Sequence, residues 1–162
     1  FNGSPDRYDW KLLGKKEIYI PYNSYDLKSS KLKLEDILLK KHLNPEYLRY
    51  ELHRVWVVEA TLKEGYRHLY HKRVFYIDED SWQIALSEKY DSRGNLYRVS
   101  EAHSANYYQV PLYWSVVEVD YDLLSKRYYA SGMNNDLEPT RFDIVTKAEE
   151  YRPSQYSRKA AN

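Results

Sequence analysis

The chain is 162 residues long, and Leu, Ile, Val and Phe supply 37 of them, enough apolar side chain for one folded core. Lys and Arg number 25 against 24 Asp and Glu, a net charge of +1, so no overall field gathers nucleic acid at the surface. Without cysteine the chain has no disulfide, thiolate nucleophile or Cys-ligated zinc, and no apolar run approaches the roughly 20 residues of a membrane-spanning helix.

Residues 1–15, with Gly3, Pro5, Gly14 and scattered charges, show no sustained period and read as an entering arm. A start at Phe1, with neither initiator methionine nor leader, is expected of a fragment or processed product of a longer protein. Residues 17–20 predict the first strand, stopped by Pro21. Leu34, Ile37, Leu38 and Lys41 fall at helical spacing and predict a short amphipathic helix ending near His42. Asn44-Pro45-Glu46 then offers a cap, a proline for the first helical position and an acid for the first turn, which predicts a second helix of a turn or two over 45–49.

From Glu51 the period changes. Stretches 52–62, 67–77, 82–90 and 96–101 are rich in β-branched and aromatic residues and are separated by Lys63-Glu64-Gly65-Tyr66, Asp78-Glu79-Asp80-Ser81 and Asp91-Ser92-Arg93-Gly94-Asn95. They predict a four-stranded antiparallel meander. A loop over 104–111, strands over 113–121, 127–131 and 141–145, and a tail over 147–162 complete the expected order. The 19 tyrosines suit such a fold, because a ring with a polar tip favours strands and half-wet surfaces. The expected class is mainly β with short helices (α+β), a curved antiparallel sheet over 16–146 in a single domain.

Closing the first hairpin at Glu64-Gly65 sets Trp56 against Arg73 and Val58 against His71. Carried through the next two turns, this register collects Leu52, Trp56, Val58, Ala60, Leu62, Leu69, Phe75, Ile77, Trp82, Ile84, Leu86, Tyr90 and Leu96 on one face. It leaves Val55, Val57, Val74 and Val99 among polar residues on the other. Exposing that apolar face would forfeit about 20–40 kcal/mol, so something must cover it. A nine-residue helix is about 14 Å long, whereas the longest strands run about 35 Å. The sheet must therefore curl on itself, be completed by further sequence, or receive a hydrophobic ligand. The candidate ligand-binding residues are Trp56, Val58, Phe75, Trp82, Ile84 and Leu86, with Arg73 as a contact for a polar head group.

Catalytic and metal motifs are not found. On a strand, His68 and His71 would point to opposite faces and could not share an ion. Glu59 and His68 read as a solvated cross-strand pair, Asp78-Glu79-Asp80 reads as a turn without EF-hand spacing, and neither a G-x-S-x-G elbow nor a glycine-rich phosphate loop occurs. No catalytic residue, metal ligand or cofactor is expected.

The stretches from Leu52 through Thr61-Leu62, from Arg73-Val74-Phe75-Tyr76-Ile77 through Trp82, and Tyr90-Asp91-Ser92-Arg93-Gly94-Asn95-Leu96 resemble an uncharacterised Gram-negative family labelled outer membrane lipoprotein-sorting protein, in its C-terminal part. The opening from Gly3-Ser4-Pro5 through Glu17, and Ile20-Pro21-Tyr22-Asn23, are similar to it as well. The strand-turn-strand pattern is also similar to the LolA and LolB lipoprotein carriers. The resemblance implies an open half-barrel, a periplasmic home, and noncatalytic handling of lipid or lipidated protein, with an envelope transporter or outer-membrane component as partner. It supplies no functional residue that can be placed on this chain. The rival expectation is a structural module that docks onto the rest of its parent protein or onto an envelope partner.

Overall fold

The computed structural model describes residues 1, 3–138, 140–142 and 144–155. Seven strands follow one another as a single antiparallel meander, each hydrogen-bonded to its neighbours in sequence. They are β1 (Tyr8–Pro21), β2 (Tyr50–Leu62), β3 (Lys72–Asp78), β4 (Ile84–Tyr90), β5 (Leu96–Tyr107), β6 (Leu112–Asp122) and β7 (Arg127–Ser131). The result is an open, curved antiparallel sheet with little helix, as the strand-like runs and turns predict.

Several boundaries differ for identifiable reasons. Most of the expected arm is strand: β1 pairs with β2 from Tyr8 opposite Leu62 to Pro21 opposite Tyr50. Its alternation is hidden by a bulge between Leu12 and Gly14, where Gly14 adopts φ +111°. The helix expected to end near His42 is one turn, α1 (Leu34–Ile37), and Lys41 at φ +79° cannot continue it. The second helix is a 3-10 turn, Pro45–Tyr47, capped as expected by Asn44, whose Oδ1 accepts from Glu46 N.

The strand expected over 67–77 begins only at Lys72, because residues 63–71 form a broad loop whose mouth is closed by Leu62 N donating to His71 O at 2.8 Å. Val55 therefore pairs with Asp78 and Trp56 with Ile77, not with Arg73. Trp82, expected in a strand, has φ +58° and belongs to the preceding turn. β5 runs through the first half of the expected loop over 104–111, and the described residues of 141–145 are irregular. Asp143 and residues 156–162 of the tail lie outside the described residues, and a 3-10 turn, Ala148–Tyr151, lies within it.

The largest correction concerns the faces. Val55 (0% exposed), Val57 (2%) and Val74 (7%), assigned to solvent by the hairpin parity, are core, packed with Ile20 and Ala85. Further along the same face, Leu27, Ile37 and Leu43 from the connection between β1 and β2 pack on Ala105, Val117 and Val119. The sheet curls so that the end of β1 reaches the later strands: Tyr22 stacks on Tyr113 at 4.7 Å and Ser24 N donates to Ser104 O at 2.9 Å. A third cluster of Tyr8, Ala60, Leu62 and Phe75 lies on the opposite face. One apolar face and one wet face suit a flat sheet. In this curled one, both sides are partly enclosed. Among the described residues, no helix is long and apolar enough to cross a membrane.

Candidate functional site

Opposite the valine core, β3 to β6 form the floor of an open groove of about 740 Å³. Cross-strand pairing puts Phe75 beside Ser87 and Ser87 beside Ser100, which brings the small side chains Ser87, Ser100 and Ala102 into the trough. Phe75 and Ile84 make its floor apolar at one end. The loop over 63–71 supplies His68 and Tyr70 to the wall, and Phe1 lies over the apolar end, 5.6 Å from Phe75 edge to face. A second hollow of about 560 Å³ shares Tyr70, Lys89 and Asp120 with the first and continues past Arg98 to Arg127.

The charged groups of the trough are unequally matched. Lys89 Nζ sits 2.5 Å from Asp120, and Arg98 pairs with Asp122 at 3.4 Å. Burial works against ionisation of Asp120, but the hydrogen bonds from Lys89 and Ser100 outweigh it and hold the carboxyl below its usual range. Arg73 differs: among the described residues no carboxylate pairs with it, and its Nε is buried without a hydrogen-bond partner. The guanidinium is boxed by aromatic faces, 4.7 Å from the ring centre of Tyr70 and 5.3 Å from those of Tyr8 and Phe1.

Arg73 Nη2 also lies 3.2 Å from His68 Nε2. Tyr70 N donates to His68 Nδ1 at 2.9 Å, so a neutral imidazole here carries its proton on Nε2 and has nothing to accept with toward Arg73. Burial and then the charge of Arg73 push the His68 pKa down, which favours that neutral form. Arg73 thus offers donors into the groove that its surroundings leave largely unused.

Of the residues predicted from sequence, Arg73, Phe75, Ile84 and Leu86 line this groove. Val58 lies beside Phe75 on the same face, packed against the Phe75 cluster, but is not part of the groove lining. Trp56 shares that sheet face but lies under Lys15, whose ammonium is 4.2 Å from the indole ring centre. Leu86 is paired with Tyr76, on the valine face, and touches the groove only from its edge. Trp82, 70% exposed in its turn, is not brought to the groove. Sequence reasoning missed Tyr70, His68, Lys89, Ser100 and Asp120. Three of these are short or polar strand residues that a search for greasy side chains passes over, and two belong to a loop read as strand.

Away from the groove, His53 Nδ1 lies 2.9 Å from the buried Asp78, so β2 and the end of β3 bring together an imidazole and the acids of the turn.

Fold and groove place the chain in a class: an open, curved antiparallel meander carrying a trough that is apolar at one end and charged at the other. More narrowly, it belongs to the family described as protein of unknown function (DUF1329), whose model matches residues 1–160. The resemblance carried by the 52–96 stretches points the same way. The chain is 56% identical over 156 residues to an uncharacterized protein of Pseudomonas aeruginosa, covering 95% of this chain and 34% of that protein. A DUF1329 family crystal structure from Desulfovibrio piger matches with TM-score 0.50 at 12% identity, over 92% of this chain and 47% of that one. A domain from Vibrio parahaemolyticus, whose name assigns it to outer-membrane lipoprotein sorting, matches with TM-score 0.49 at 12% identity, over 92% and 48%. At such identity the Desulfovibrio structure bears on the fold alone. The chain spans about a third of its Pseudomonas relative and just under half of each solved chain.

Proposed function

We propose that this domain binds an amphiphile without covalent chemistry, the acyl portion lying over Phe75 and Ile84 and an anionic head group meeting Arg73. One observation carries the reading: a guanidinium with no carboxylate partner among the described residues, set at the apolar end of an open groove large enough for part of an acyl chain. Shutting the Arg73 Nε away from water without an acceptor is costly, and a carboxylate or phosphate ester would give the half-buried guanidinium acceptors in bidentate geometry. Affinity would come mainly from apolar burial, so the chain class should be weakly discriminated. The ligand class we infer is lipid or a lipidated protein. The setting is the periplasm of a Gram-negative cell, with an envelope transporter or outer-membrane component as partner, as the sequence resemblance implies.

The test is organic extraction of the purified protein followed by lipid mass spectrometry, with Arg73→Gln and Phe75→Leu in parallel. Near-stoichiometric anionic lipid is expected from the native protein. Loss of hydrogen bonds to a charged group should weaken binding of a fluorescent fatty acid to Arg73→Gln by about 10- to 100-fold. Clean extracts together with equal binding by both forms would end the proposal.

A second reading, docking onto the rest of the parent protein, is favoured by β1. It is an edge strand of 14 residues with Leu12 61% and Tyr19 68% exposed, in a chain that spans a minor part of its relative. In that case the longer protein would protect the β1 amides from hydrogen exchange and this chain alone would not.

A further inference from the structure

The cluster around His53 lies outside the groove and is not used by the reading above. His53 projects from β2 onto the same face as Asp78, whose strand neighbour is Val55. Its Nδ1 is 2.9 Å from Asp78 Oδ1 and 3.8 Å from Asp80 Oδ2. All three donor atoms lie within 4.8 Å of one another. Two donors on one tetrahedral ion with bonds of 2.0–2.1 Å stand roughly 3.3 Å apart, so the observed separations bracket what one small ion requires.

The surroundings support the same conclusion. The Asp78 side chain is 1% exposed and that of His53 13%, so this is no loose surface tangle. Asp78 Oδ2 is occupied by Ser81 N and Oγ, which leaves Oδ1 with the imidazole alone. Among the described residues, no lysine or arginine forms an ion pair with Asp78 or Asp80, and a buried carboxylate without a cation is costly. The imidazole is held from two further sides: the Tyr22 ring lies 4.1 Å from it and tilted by 32°, and Glu51 Oε2 faces Nε2 at 3.7 Å. A carboxylate at the far nitrogen is the usual outer-shell device that orients a metal-ligating histidine. Asp80 is 71% exposed and leaves an open side for entry and for water as a fourth ligand.

We propose that His53, Asp78 and Asp80 bind a divalent transition-metal ion of the zinc type, with Glu51 positioning His53. Loading shifts the imidazole to its Nε2–H tautomer: the Nδ1 proton leaves to solvent, Nε2 takes one up on the side facing Glu51, the freed Nδ1 lone pair meets the ion, and Asp78 turns Oδ1 from imidazole to metal. One nitrogen with two carboxylate oxygens selects zinc over calcium or magnesium, which take all-oxygen shells. The ion would clip the start of β2 to the β3–β4 turn.

The experiment is isothermal titration of chelator-treated protein with zinc chloride, calcium chloride as comparator, together with thermal unfolding in excess chelator or excess zinc. One zinc per chain, a raised unfolding midpoint and no calcium heat are expected. Asp80→Asn alters only an exposed side chain, should unfold like the native protein in chelator, and should lose at least tenfold in zinc affinity. His53→Gln should lose the site. Equal zinc binding by native protein and Asp80→Asn, or zinc binding abolished instead by His68→Gln with His71→Gln, would overturn the assignment, as would absence of stoichiometric zinc heat in the native protein.

Discussion

Phe75 and Trp82 show how unequal two aromatic residues of one hairpin can be. Phe75 is 5% exposed, stacks near Trp10 with ring centres 6.0 Å apart and packs with Tyr8 and Ala60, so its truncation opens a void in that cluster. Phe75→Ala should cost about 3–5 kcal/mol in urea unfolding. Trp82 rests on the surface at φ +58°, a left-handed conformation that a side chain beyond Cβ does not stabilise. Trp82→Ala should change stability by less than about 0.5 kcal/mol. A Trp82 variant as damaging as the Phe75 variant would mean that the indole is covered in solution.

At the scale of elements, what could be read in advance was whatever short-range chemistry decides. The 91–95 turn is an example: Asp91 Oδ1 accepts from Arg93 N at 2.8 Å and Asn95 N at 2.9 Å, with Gly94 at φ +81°. The cap at Asn44 and the meander order are of the same kind. Bulges are not, since the shifts at Tyr76/Ile77 and Lys89/Tyr90 each move one residue out of register and no residue type announces them. One such slip exchanges the faces of everything beyond it, which is how Leu86 left the groove side, while the curl that buries Val55 and Val57 depends on contacts between strands far apart in sequence. The groove was half legible for the same reason: Arg73, Phe75 and Ile84 are visible in the hairpin, whereas Tyr70 depends on a loop that looks like strand. Gly132 shows an element boundary under strict control, since at φ +83° a Cβ there would meet Val116 O at 2.9 Å. Gly132→Ala should therefore destabilise by about 1–3 kcal/mol, with backbone strain and the clash acting together. At Gly94 the added methyl would meet open space and only the conformational penalty would remain.

At the scale of the whole molecule, the tyrosines tie the curl of the sheet to pH. Burial, reinforced by Glu88, raises the Tyr76 phenol to about 12, and burial with Glu101 nearby raises Tyr121 to about 12. Tyr50, Tyr90 and Tyr113 are raised in the same direction, burial leading in each, with Glu101, Glu88 and Tyr22 respectively next among the neighbouring groups. In the unfolded chain these phenols ionise near 10. Between pH 10 and about 12 the folded state thus holds more protons than the unfolded one, so stability is complete below pH 10 and falls as pH rises through that window. The groups concerned span the molecule: Tyr50 donates to Glu101 across the curl at 3.1 Å, and Tyr113 stacks on Tyr22 where the end of β1 meets β6. Ionising either would put a second negative charge beside an existing carboxylate or an aromatic face and press the curl open. Urea unfolding at intervals from pH 7 to 11.5 should show a flat region followed by a steep loss above pH 10, and Tyr121→Phe should make that loss shallower because one of its protons is gone. Stability that stays level to pH 11.5 would mean that these phenols are solvated and that the sheet is more open than its side-chain contacts require.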